Sequence, residues 1–168
     1  QSISFKNKAA IMDEIKHPTT RRMFALAEAL RSGVPTEKLH ELSKIDMWFL
    51  EKLRHIIDIE KKIRGARLDR VDMRTAKRNG FSDSRIGHLV KKGEDDVRAF
   101  RIKNGVRPVI KQIDTLAGEF PAQTNYLYLT YHGTEHDIAR GSKQAAVLGG
   151  GPYCIGSSVE FDWSCVQA

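Results

Sequence analysis

DMWFLEKLRHIIDIEKKI, residues 46–63, carries the clearest periodic signal in the chain. Phe49, Leu50, Leu53, Ile56, Ile57 and Ile63 recur at three- and four-residue spacing, which predicts one broad apolar stripe along a helix. Ser43 is a candidate cap ahead of it, and Gly65 is placed to end it.

Upstream, residues 19–31 read as an amphipathic helix. Thr19 or Thr20 has the hydroxyl to cap it, and Met23, Leu26, Ala27 and Leu30 fall on one side. Gly33 is placed to end that helix, and Pro35-Thr36 restarts a short one through Leu42 with Leu39 as part of its apolar pair. Downstream, shorter helices are expected near residues 70–78, 83–91 and 94–103, punctuated by Asn79-Gly80, Gly93 and Asn104-Gly105. Ser82 and Asp83 suit the start of the middle one. Glu94, Asp95 and Asp96 sit where the helix dipole favours negative charge.

After Gly105 the character changes. Arg107 precedes Pro108 and is therefore biased to extended backbone. Residues 126–131, YLYLTY, are rich in β-formers, with Tyr126, Tyr128 and Tyr131 interleaved with Leu127 and Leu129. Residues 132–143 read as a polar loop, and 145–148 as a short apolar strand running into the glycine loop 149–156. The fold class is therefore mainly α: a bundle of about five to six short helices with a small strand-containing C-terminal tail.

The 168 residues suffice for one domain, or one domain plus a fragment. At 40% apolar and 29% charged, the chain has enough for a core and an ordinary surface. No apolar run approaches the roughly 20 residues that span a bilayer, so no membrane partner is expected. Cys154 and Cys165 lack zinc-type spacing, and a reducing intracellular setting is the simpler reading. The net charge of +7 permits an anionic partner. Acidic and basic residues are interleaved, however, as in Glu51-Lys52 and Glu60-Lys61-Lys62, and such mixing marks solvated helix faces.

Four stretches invite chemistry. The glycine loop lacks the Gly-Lys-Ser/Thr of a phosphate-gripping loop, and Cys154 stands where a dinucleotide-binding loop has its third glycine. Glu160 and Asp162 would share one face of a strand, as a catalytic carboxylate pair might require. His132 and His136, with Glu135 and Asp137, imitate a metal site, but an i, i+4 histidine pair needs a helix and Gly133 argues for a loop. Residues 77–103 have the short helices and the cations Arg78, Arg85, Arg98 and Arg101 of a helix-turn-helix reader of nucleic acid. That reading is the alternative to a structural bundle. Phe81 and Phe100 read as core.

A resemblance decides among these. GGGPYCIGSSVEFDW, from 149, resembles the opening of the second synthetase half of carbamoyl-phosphate synthetase large subunits. KQIDTLAGEFPAQTNYLYLTY (111–131) resembles the segment joining that family's oligomerisation domain to its second half, and KRNGFSDSRIGHL (77–89) and IDMWFLEKLRHIIDIE (45–60) resemble its helical part. The blocks keep order and spacing over residues 19–166; residues 1–18 match less clearly. The tail is closer to the fused eukaryotic enzymes, those of the pyrimidine pathway first and of the urea cycle next.

The resemblance implies a non-catalytic oligomerisation and linker module at 19–144, followed by the first strand and glycine turn of the next domain at 145–168, cut from a longer protein. The parent would be an ATP-dependent, glutamine-hydrolysing ligase using ATP and Mg²⁺, with no cofactor or metal held by this fragment. Its location would be cytoplasmic, its partners the parent's other domains and a second copy of itself, and no nucleic acid. Glu160 matches a glutamate lining the family's internal carbamate passage. For self-association, Met23, Leu26, Leu30, Val34 and Leu39 are expected to form one apolar strip across the Gly33 turn, part of it free to meet its own copy.

Overall fold

A computed structural model describes residues 4–121 and 126–139. The chain divides into two compact units, Gln1–Gly105 and Val106–Ala168. The described residues are mainly helical, as the sequence implies, with seven α-helices among them in the first unit and a two-stranded sheet in the second. The helices are α1 Lys8–Lys16, α2 Arg22–Arg31, α3 Thr36–Ser43, α4 Met47–Ile63, α5 Met73–Arg78, α6 Asp83–Val90 and α7 Glu94–Lys103.

The first of these lies in the stretch that the sequence reading left unassigned. Asn7 caps it, accepting from the Ala10 N–H at 2.9 Å. Its Ile11 and Ile15 join Ala25, Leu26, Ala29 and Leu30 of α2, Leu39 of α3, and Leu50 and Ile57 of α4 in one buried cluster.

Two caps differ from those expected. Thr19 does not cap α2: its hydroxyl accepts from the Arg21 N–H and donates to Glu14, and α2 starts at Arg22 without a side-chain cap. Ser43 does not cap α4, because α3 runs through it and ends on Lys44 in the left-handed region at φ 60°. Asp46 caps α4 instead, accepting from the Trp48 N–H at 2.8 Å. Other stops are as read. Gly33, at φ 82°, allows Val34 N–H to reach back to the Ala29 carbonyl at 3.0 Å, which drives Val34 down onto the core. Ser82 accepts from the Arg85 N–H at 2.9 Å to start α6.

The α4 stripe is only half used as expected. Leu50, Ile57 and Ile63 are buried, whereas Phe49 and Ile56 lie exposed. Past Ile63, the Gly65 N–H donates to the Leu89 carbonyl at 3.0 Å, tying the end of α4 to α6. Helix α6 packs in turn on α7, and Phe81 is buried as its sequence position suggests.

In the second unit, β1 (Val109–Gln112) pairs antiparallel with β2 (Leu127–Thr130), Val109 facing Thr130 and Gln112 facing Leu127. The free edge of β1 is occupied by the following loop. Ile110 N–H donates to His136 Nδ1 at 3.0 Å and Asp137 N–H donates to the Ile110 carbonyl at 3.0 Å. Asp137 also accepts from Gln112 N–H at 2.9 Å and pairs with Lys111. An edge strand's open polar groups are thereby satisfied. The expected strand at 145–148 and the glycine loop at 149–156 lie outside the described residues.

Gly87 sits where α6 meets its own exit turn. The Lys91 and Lys92 N–H groups both fold back to the Gly87 carbonyl, and a Cβ on residue 87 would stand 2.7 Å from the Lys92 carbonyl oxygen. The obstacle is backbone, which cannot swing aside. Gly87→Ala should therefore destabilise the chain by about 1–3 kcal/mol despite alanine's better helix propensity. A urea titration checks this: the midpoint falls while the m-value holds. An unchanged midpoint would show that the turn relaxes freely.

Candidate functional site

The cations that could mark a nucleic-acid surface are turned to internal use. Helix α4 presents Glu60, and its carboxylate is nearly buried, with its side chain 6% exposed. Arg31 of α2 donates to it from Nε and Nη2 at 3.2 and 3.1 Å. Arg85 of α6 approaches at 3.1 Å, and Arg64, one turn further along, at 2.5 Å. One carboxylate thus joins α2, α4 and α6.

Burial alone would raise the Glu60 pKa. The hydrogen bonds from Arg31, Arg64 and Arg85 outweigh burial and hold it at about 2, against an ordinary 4.5. A second buried carboxylate works the same way. Asp83 at the first turn of α6 takes Lys77 of α5 at 2.8 Å and Arg101 of α7 at 2.7 Å. Burial again acts to raise its pKa, and the Lys77 and Arg101 hydrogen bonds bring it below the usual aspartate range. Arg98 pairs with Glu94 at 3.0 Å on the outer side of α7. Arg85, Arg98 and Arg101 are therefore engaged in intramolecular ion pairs rather than arrayed for phosphates.

A further arginine ties helix ends. Arg22 donates to the Ile15 carbonyl at 2.9 Å and to the Ser43 carbonyl at 2.8 Å, so it occupies orphan carbonyls at the ends of α1 and α3. Thr36, fully buried, donates to Glu51 at 2.7 Å and links α3 to α4. None of these contacts carried a periodic sequence signal. The only hint was the mixture of opposite charges along the helices.

The expected self-association strip is dismantled by the fold. Leu26, Leu30 and Leu39 are almost wholly buried in the chain's own core, because α1 lies against α2 and α3 and covers them. Val34 is half-buried and packs on the same core. Of the five residues, Met23 is exposed. Glu160 and Asp162 lie outside the described residues. His136 and Asp137 are used at the β1 edge, and among the described residues no group of three or more His, Cys, Asp or Glu side chains is placed to hold a metal. Between α1 and α2 a cavity of about 420 Å³ is lined by Phe5, Ile11, Met12, Ala29 and Val34 among others, without a convergent set of reactive groups. Among the described residues, no helix is long and apolar enough to cross a membrane.

The geometry defines a class: a small helical bundle tied together by buried carboxylates paired with arginines and a lysine. Comparison with known proteins gives the family. The model of the carbamoyl-phosphate synthetase large chain oligomerisation domain matches residues 1–105, and the chain belongs to that family. The match takes in the α1 stretch that the sequence reading left unmatched. The carbamoyl phosphate synthase preATP-grasp domain matches residues 141–168.

Among relatives, the chain is 48% identical to a mitochondrial carbamoyl-phosphate synthase (ammonia) of Aquarana catesbeiana, over 92% of this chain and 11% of the relative. It is 46% identical to multifunctional protein CAD of Squalus acanthias, over 95% of this chain and 7% of that protein. It is 45% identical to multifunctional protein ura1 of Schizosaccharomyces pombe, over 98% and 8%. The chain thus spans about a tenth of the length of these relatives. The nucleic-acid alternative finds no support among these matches.

Glu60 sets an acid limit on stability. Its folded pKa lies below the unfolded value, so its contribution is complete above about pH 4.5 and lost as pH falls toward 2. Glu60→Gln should cost roughly 2–3 kcal/mol at neutral pH, because the three arginines lose their shared anion. The gap in Tm between wild type and Glu60→Gln should narrow steadily between pH 4.5 and 2. A gap that stays constant over that range would remove Glu60 as the titrating group.

Proposed function

We propose that the chain serves as the structural joint between the two synthetase halves of a carbamoyl-phosphate synthase of the fused eukaryotic type. The observation that carries this reading is the order of the two family matches in one chain: the oligomerisation domain over 1–105, then the preATP-grasp domain from 141. The strand pair and its clipped loop lie between them in sequence. A joint of this kind needs rigidity rather than reactivity, and the ion clusters at Glu60 and Asp83 supply it.

In this reading the helical module with its connector runs to residue 144, and the segment 145–168 opens the second half. The parent consumes bicarbonate, ammonia released from glutamine, and two ATP with Mg²⁺. Those cofactors belong to the halves. The module fixes the mutual orientation of the halves and contributes contacts between subunits. Its partners are therefore the parent's other domains and a second copy. Glu160 lines the passage that carries carbamate between active sites. The cytoplasmic location goes with the pyrimidine-pathway form. Relatives of the multifunctional and the ammonia-using kinds stand at nearly equal identity, 46% and 48%.

Two measurements bear on this. The 168-residue chain on its own should turn over no ATP above a buffer blank; turnover that survives Glu160→Ala would oppose a purely structural role. In the parent polypeptide, Glu160→Ala should leave both ATP-consuming half-reactions running while carbamoyl phosphate yield per ATP drops. Retained coupling would remove Glu160 from the passage.

A further inference from the structure

The stretch HGTEHD, residues 132–137, imitates a metal site in sequence and lies along the edge of β1 in the structure. Ile113 N–H donates to the Tyr126 carbonyl at 2.8 Å, and the register sets Lys111 opposite Tyr128 and Val109 opposite Thr130. Hydrogen-bonded pairs alternate along an antiparallel ladder, so the odd-numbered residues of β1 bond to β2 and the amides of Ile110 and Gln112 point away from it. The loop meets both outward amides with side chains. His136 Nδ1 takes the Ile110 N–H at 3.0 Å, and a carboxylate oxygen of Asp137 takes that of Gln112 at 2.9 Å. Gly133 lies close against the same strand: a Cβ on it would stand 2.5 Å from Val109 Cγ2.

The two side-chain acceptors answer differently to pH. A backbone N–H can only donate, so His136 Nδ1 must present a lone pair, and the neutral ring then holds its proton on Nε2. An imidazolium carries N–H on both nitrogens and would set one donor against another. Asp137 accepts as a carboxylate, and the hydrogen bonds from Lys111 and Gln112 hold its pKa below the usual aspartate range. It stays an acceptor across the window of about pH 5 to 8 in which histidine changes charge.

The charged and titratable groups around this edge are Lys111 of β1, Tyr128 of β2, and His132, Glu135 and Asp137 of the loop. Asp114 and Glu119 border the hollow beside Asp137. Lys111 is already paired with Asp137. Glu135 and Asp137 flank His136 in the chain, so a protonated ring finds negative charge on either side without the Ile110 amide. His136 is only partly buried, which leaves the ring within reach of water.

We propose that residues 132–137 form a two-point clip on the outer edge of β1, gated by pH at His136 and held throughout the histidine range at Asp137. The neutral imidazole closes the first point. Protonation opens it and leaves the Ile110 N–H to water, while Asp137 keeps the loop tethered. The His136 bond therefore stabilises the docked loop where the ring is neutral and is lost as pH falls. The clip stands just ahead, in sequence, of the preATP-grasp match that starts at residue 141, so acid loosens the stretch leading into it. Such a clip acts on the chain's own sheet edge, whatever part the helical module plays in the longer polypeptide.

The test is amide hydrogen exchange on the full parent polypeptide at about pH 7.5 and 5.5, corrected for the intrinsic rate at each pH and resolved to single residues by fragmentation. One pH unit below its midpoint a titrating group is only about a tenth neutral, so Ile110 protection should fall about tenfold while Gln112 protection holds. His136→Asn keeps an acceptor oxygen where Nδ1 stands but cannot gain a proton, and should make Ile110 protection equal at the two pH values. His132→Gln removes the loop's other histidine and should leave the wild-type response intact. Wild-type Ile110 protection that does not change with pH overturns the proposal, whatever the variants do. So does a loss that persists in His136→Asn or vanishes in His132→Gln, and so does a parallel loss at Gln112, which would show the whole loop leaving the strand.

Discussion

Glu60 is the point at which three helices meet on one charge. A carboxylate taken out of water is costly unless its lone pairs are filled, and here Arg31, Arg64 and Arg85 fill them from α2, from the end of α4 and from α6. Any arrangement that moves α2 or α6 away from α4 strips a donor from a buried anion. The cluster adds less net stability than its contacts suggest, because desolvation offsets the attraction. Its effect is to penalise alternatives, and so to specify how short helices are set against a long one.

The same device recurs at Asp83, where Lys77 and Arg101 bring α5 and α7 to the start of α6. These helices are brief, six to ten residues, and each buries only a few apolar side chains. Apolar packing is non-directional and would tolerate slippage between such small elements. Charge-assisted hydrogen bonds are directional and do not. Directional bonds at Glu60 and Asp83 therefore fix how these short helices sit.

This accounting also changes how the +7 charge is read. Much of the arginine content is structural, bonding helix-end carbonyls through Arg22 and buried carboxylates through Arg31, Arg85 and Arg101.

The sequence by itself determined the helical class, α4, and most stops and starts, because those depend on local spacing and on residues such as Gly33, Ser82 and the acidic start of α7. It also carried the family, through four blocks in order. It did not disclose α1, a nine-residue helix whose Ile11 and Ile15 are buried against the neighbouring helices. For that reason Leu26, Leu30 and Leu39 read as available surface when they are core. Nor could spacing tell which apolar residues of α4 are covered: Phe49 and Ile63 share one side, and only α6, arriving from residues 83–90, buries the second and leaves the first. Ser43 read as the cap of α4, and only the run of α3 through Ser43 shows that Asp46 takes that place. The Glu60 cluster joins residues 29 and 25 positions apart, and no local rule links them. Periodicity is a property of one helix, whereas burial and charge pairing belong to the contacts between helices, which only the tertiary structure decides.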